Sequence, residues 1–230
     1  MKRPITLFAL LALAAGLLAG PVSAQKPPKP QKPPKPQPYV IPGPVSIGSN
    51  LNPTVFSTPV TISGRVNKDG NGVRVTLFAR TVPSTTYRTV ASVTTSNNGS
   101  YQFVDRPPRN TTYRVTVNIS PPVSSAELLV KVRTLVGFRV SDTTPKRGQR
   151  VRFFGIVRPT HNGRRAYVQK KASGGRWVTL ARPTLRKLDS KSSRYSVRLR
   201  VRRSGEYRVR VLGHNDHAQG ISRTRTLRVG

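Results

Sequence analysis

The chain contains no cysteine, one methionine, one tryptophan and only 7 Asp+Glu in 230 residues. Without thiols there is no disulfide scaffold, zinc-thiolate centre, cysteine nucleophile or Cys-linked lipid anchor. So few carboxylates leave little material for acid/base catalysis or calcium sites. No Gly-x-Ser-x-Gly elbow occurs, and no glycine-rich phosphate loop ending in Lys-Ser/Thr. The carboxylates Asp142, Asp189, Glu206 and Asp216 stand in no context that suggests a glycosidase pair. His214-Asn215-Asp216-His217 is the single His/Asp cluster, and its third metal ligand would have to come from distant His161. The expectation is a protein that is not an enzyme and uses no metal or cofactor.

Long apolar runs are also scarce. Ile5 to Leu18 is the longest, behind Lys2 and Arg3 and ahead of Val22-Ser23-Ala24. A positive start, an apolar stretch and small residues at −3 and −1 make residues 1–24 a signal peptide cleaved before Gln25. The run is shorter than the about 20 residues that span a bilayer core, and no comparable run follows. The mature chain is therefore expected to be secreted or extracellular, free or cell-wall associated, without a transmembrane segment.

What the chain has in abundance is positive charge: 41 Lys+Arg give a formal net charge of +34. Residues 47–134 hold 10 basic and 3 acidic groups, whereas residues 135–230 hold 25 basic and 4 acidic groups. An electrostatic partner is therefore expected at the C-terminal part. Residues 25–46 form a Pro/Lys-rich linker in which Lys26-Pro27-Pro28-Lys29-Pro30-Gln31 recurs as Lys32 to Gln37. Such proline density favours polyproline II, which has 3 residues per turn. Lys26, Lys29, Lys32 and Lys35 would then project from one edge, as a solvated stalk or a polycationic rod.

Two stretches of about 90 residues share one plan. Val60-Thr61-Ile62-Ser63-Gly64-Arg65-Val66 matches Val151-Arg152-Phe153-Phe154-Gly155-Ile156-Val157, and Gly72 matches Gly163. Tyr87 matches Trp177, Tyr101-Gln102-Phe103 matches Tyr195-Ser196-Val197, and Tyr113-Arg114-Val115 matches Tyr207-Arg208-Val209. Valine-rich period-2 alternation, broken at short intervals by Gly, Pro, Asn and Asp, predicts strands. The fold class is all-β: two tandem immunoglobulin-like β-sandwiches over 47–134 and 135–230, with a short junction near Thr134 that leaves them separable. Tyr113 and Tyr207 suit either tyrosine corners or ordinary core positions. Trp177 suits either a carbohydrate platform or the structural place of Tyr87.

Gly64, Gly72, Tyr87, Tyr101-Gln102-Phe103 and Thr111-Thr112-Tyr113-Arg114-Val115 carry a resemblance. The pattern is similar to that of immunoglobulin-like repeats in secreted actinobacterial proteins, related to bacterial Ig-like and carboxypeptidase-regulatory-like sandwiches. Thr94-Thr95-Ser96-Asn97-Asn98-Gly99-Ser100-Tyr101 departs from it by one inserted residue. The resemblance implies a sandwich fold and a spacer or binding role, and it brings no active site.

Strand alternation puts Tyr195, Val197, Leu199 and Val201 inward and Arg198, Arg200 and Arg202 outward. In the next strand Tyr207, Val209 and Val211 point inward, with Arg208 and Arg210 outward. Rows of like charge destabilise a sheet unless a polyanion neutralises them. The candidate polyanion-binding residues are thus Lys26, Lys29, Lys32, Lys35, Arg198, Arg200, Arg202, Arg208 and Arg210. The expected function is a non-catalytic binding or spacer protein held by charge to anionic cell-wall or extracellular polymers. The alternative is a structural spacer or protein-interaction module with no polyanion ligand. Specific nucleic-acid recognition is not expected, because no recognition helix or array of stacking aromatics is present.

Overall fold

The computed structural model describes residues 44–67 and 71–230, and the expected signal peptide, Lys26, Lys29, Lys32 and Lys35 lie outside them. The described residues are all-β, with no helix, and fold as two-sheet β-sandwiches. No helix among them is long and apolar enough to cross a membrane.

In the first sandwich, strand Val60–Arg65 pairs antiparallel with Gly48–Ser49 and Ser100–Asp105. The facing sheet runs Arg88–Thr94, Arg74–Thr81, Thr111–Val117, with Val123–Ser124 and Leu128–Val130 on the outer edge of the last. Thr111–Val117 alternates without a break, so Tyr113, Val115 and Val117 are buried against Val60, Ile62, Val75 and Leu77. The edge begins earlier than composition indicates: Val45, in the proline-rich stretch, is buried and bridges Val66.

The second sandwich repeats the arrangement. Arg150–Arg158 pairs with Ser193–Arg200 along its length and with Leu135–Val136 and Arg139–Val140 on its other side. Arg186–Lys187 lies outside Ser193–Arg200. The opposite sheet joins Trp177–Ala181, Ala166–Lys171 and Gly205–Val211, with Gly220–Ile221 and Arg225–Leu227 on the last. Val151, Phe153, Val168, Tyr195, Val209 and Leu227 fill the space between.

The two glycines within the central strands have one purpose. Gly64 faces Tyr101 across its ladder and Gly155 faces Tyr195. Each phenol passes over its glycine to donate to a carbonyl on the far neighbour, Ser46 for Tyr101 and Gly137 for Tyr195, the latter at 2.7 Å. A Cβ at either glycine would overlap that carbonyl oxygen and crowd the phenol. Burial of both tyrosines pushes their hydroxyls well above the usual phenol range.

Tyr113 and Tyr207 take different parts. The Tyr113 hydroxyl donates to Asp105 Oδ2 at 2.7 Å, tying one sheet to the other. Tyr207 packs its ring on Phe153 with centroids 5.3 Å apart, a core aromatic.

The junction near Thr134 is not a bare hinge. Val132–Arg133 pairs in parallel with Thr54–Val55. Ala218 N–H donates to Val132 O at 2.8 Å, and Thr134 N–H donates to Ala218 O at 3.2 Å. Asn110 donates from its backbone to Asp216 O at 2.8 Å and from its side chain to Asn215 O at 2.9 Å. The buried His217 ring donates from Nε2 to Pro108 O at 2.9 Å and meets the His161 ring edge-on, centroids 5.2 Å apart.

Candidate anion-binding face

The outward positions of Arg150–Arg158 are Arg150, Arg152, Phe154, Ile156 and Arg158, and those of Ser193–Arg200 are Arg194, Ser196, Arg198 and Arg200. Register places Arg150 opposite Arg200 and Arg152 opposite Arg198. Directly opposed side chains lie about 4.5–5.5 Å apart at Cβ and repel when both are positive. Neither strand contains a carboxylate. The ion pairs among the described residues engage Arg80, Lys171, His214 and His217, so no arginine of this ladder has a counterion within the fold. Arg202, beyond the strand end, is exposed as well.

Arg150 and Arg152 have no counterpart among the residues expected from sequence. They were legible only as part of an alternating strand, because what makes them significant is which strand lies opposite. Arg139 and Arg186 lie on two-residue edge strands, which carry too little pattern to read.

Away from the ladder the same face opens into a groove of about 1050 Å³, between the edge strands that hold Arg139 and Arg186. Arg152, Arg158 and Arg194 also border it. The Arg152 guanidinium lies 4.3 Å from the Phe154 ring centroid, within range of a cation–π contact. The carboxylates closest in sequence are otherwise engaged. Asp189 accepts from the Ser192 hydroxyl at 2.6 Å and the Lys191 N–H at 2.7 Å, bonds that, with a smaller contribution from the Arg158 charge, hold it below the usual carboxylate range. Asp142 accepts from the Gln149 amide at 2.9 Å.

Arg208 and Arg210 lie on the opposite sheet, apart from Arg198, Arg200 and Arg202. Arg208 lies 4.1 Å over Trp177 and donates from Nε to Gln169 Oε1 at 3.0 Å. Burial, with the charge of Arg210 adding to it, pushes Arg208 below the usual guanidinium range. Arg210 lies over Tyr167, and its Nε is buried without a hydrogen-bond partner. One face of Trp177 is therefore covered by the protein itself, as Arg80 and Arg114 cover Tyr87. Trp177 and Tyr87 thus share a structural place, each under an arginine from two strands away in the sheet.

Asp216 lies between two histidines, 3.3 Å from His214 Nδ1 and 3.3 Å from His217 Nδ1. Burial raises its carboxyl, but His217 and the hydrogen bonds around it outweigh this and hold it below the usual range. No group of three or more His, Cys, Asp or Glu placed to hold a metal occurs among the described residues.

No family model matches the chain, and no curated protein matches it in sequence. Among solved structures it is similar to bovine butyrophilin, at 12% identity and TM-score 0.41, over 77% of this chain and 97% of that one. It is similar also to the teleost fish polymeric Ig receptor ectodomain, at 10% identity and TM-score 0.34, over 80% of this chain and 97% of that one.

Proposed function

We propose that this is an exported, non-catalytic binding protein that holds anionic polymers of the cell envelope against the outer face of its second sandwich. The observation that carries the reading is the arginine ladder, Arg150 opposite Arg200 and Arg152 opposite Arg198. Repulsion of this kind costs stability, and a chain of phosphates or carboxylates laid across the rungs offsets it. The signal-like N-terminus, the Lys26–Lys35 stalk and the resemblance to secreted immunoglobulin-like repeats are consistent with an extracytoplasmic setting. The role of Arg208 and Arg210 is structural in this reading, since aromatic rings and Gln169 already engage them.

Polyphosphate and purified cell-wall fractions are the probes. Binding should weaken steeply with salt, because each neutralised phosphate releases counterions, with a slope of about 0.9 per contact on duplex DNA. Replacing Arg198, Arg200 and Arg202 with Gln should lower both the affinity and the slope. Binding that ignores salt and the triple change would favour a spacer or protein-interaction module instead.

A further inference from the structure

The groove beside the ladder has a chemistry that a polymer of phosphates does not use. On a solvent-facing sheet, outward positions are ordinarily polar, yet the run Arg150, Arg152, Arg158 is interrupted by Phe154 and Ile156. The flanking edge segments add Leu135, 40% exposed, and Leu188, 41% exposed, to the same groove. An apolar floor is thus enclosed by Arg139, Arg152, Arg158, Arg186 and Arg194, with no carboxylate among the lining residues. Its volume of about 1050 Å³ is at the upper end of small-molecule sites, about 300–1,000 Å³.

We infer that this groove binds a single anionic amphiphile, an oxyanion head joined to an aliphatic chain. The aliphatic part lies on Phe154, Ile156, Leu135 and Leu188, and the head is held by the arginine rim. The charge selects the occupant. A second copy of the chain would bring its own 25 basic and 4 acidic groups of residues 135–230 against the rim, and the Lys26–Lys35 stretch carries lysine with no carboxylate. Both are repelled. A bare inorganic anion leaves the apolar floor wet, and a neutral chain leaves a five-arginine rim answered only by the charge of Asp189 near Arg158. An amphiphilic anion satisfies both.

This inference goes beyond polymer binding and shares only Arg152 with the ladder. The test is calorimetric titration of the full chain with decyl phosphate, decyl maltoside and inorganic phosphate, the two surfactants below their micelle concentrations. The expected result is one decyl phosphate per chain, bound at least tenfold tighter than either comparator. Leu135→Ser and Leu188→Ser alter exposed side chains and leave the core intact. Together they should weaken decyl phosphate at least fivefold and leave polyphosphate affinity unchanged, whereas Arg194→Gln should weaken decyl phosphate without touching the apolar floor. Equal affinity for decyl phosphate and inorganic phosphate overturns the inference. So does binding of many surfactant molecules per chain that is indifferent to the leucine changes. If polyphosphate binds and decyl phosphate does not, the groove inference falls and the polymer reading stands. The reverse result overturns the polymer reading alone.

Discussion

At Gly155 a missing side chain is what holds the second sandwich closed. The Tyr195 hydroxyl reaches Gly137 O only because nothing occupies the space over Gly155, and Gly64 leaves the same space for Tyr101. The neighbour that a new Cβ would strike is backbone, which yields less readily than the end of a flexible side chain. Gly155→Val is therefore expected to destabilise by about 3 kcal/mol, at the upper end of ordinary overpacking. For a sandwich of this size that is a fall of roughly 12–24 °C in melting temperature, measurable by circular dichroism. A melting temperature within a degree of the parent would remove this role from the glycine. The glycine was legible from its position inside an apolar alternating strand, and its tyrosine from the matching spacing in both halves. The acceptor was not, because Ser46 and Gly137 contribute only a carbonyl, which every residue has.

Between Arg150–Arg158 and Ser193–Arg200 the sheet carries a built-in repulsion. Inward and outward faces of both strands follow from alternation alone, and the structure has them so: Tyr195 is buried while Arg198 and Arg200 are exposed. Register does not follow from alternation. More than thirty residues separate the strands, and a slide of two residues would preserve every face while moving Arg198 from Arg152. Opposed like charges cost about 0.2–1 kcal/mol per pair. Arg198→Gln with Arg200→Gln should thus raise the melting temperature by a few degrees at low salt, with the gain shrinking as added salt screens the parent. A double variant that melts below the parent in both conditions would mean that these side chains stabilise the sheet through their methylene stems. Alternation alone leaves open whether Arg208 and Arg210 share a sheet with this row. Their separation arises because the chain crosses to the other sheet between Arg200 and Gly205, where their aromatic neighbours take them up.

Across the whole molecule, residues 41–230 form one compact unit, and its two cores are joined through Asn110 and His217, against whose ring His161 packs. The junction could not be read in advance, since its members are single polar residues in loops, about 105 positions apart for Asn110 and Asn215. It gives the fold a pH dependence. His161 donates from Nδ1 to Pro159 O at 2.8 Å, and its Nε2 lies 3.5 Å from the Thr134 hydroxyl. Burial lowers its pKa from 6.5, the Pro159 bond opposes this, His217 and Arg164 lower it further, and Asp216 raises it. The folded chain therefore takes up this proton less readily than the unfolded chain. The His161 contribution is complete above about pH 6.5 and is lost as pH falls from there through the folded value. The chain has only 3 His, the side chain whose ordinary pKa falls in this range, so melting between pH 7 and pH 5 reports on histidine. The melting temperature should fall across that window, and His161→Gln should flatten the fall. An identical slope in the variant would place the titration elsewhere.

The parallel pairing of Val132–Arg133 with Thr54–Val55 has a mechanical consequence. Thr54 N–H donates to Lys131 O and Phe56 N–H to Arg133 O, each at 2.9 Å, while the Asn52 side chain donates to Leu129 O and accepts from Lys131 N–H. If the protein is stretched between Pro44 and Gly230, one strand is drawn toward its start and the other toward its end. Because the two run the same way, the tension acts along their length in opposite senses. The bonds are then loaded together in shear instead of being unzipped one after another. This clasp sits where the first sandwich hands over to the second, so it would be the element that resists when the molecule bears load.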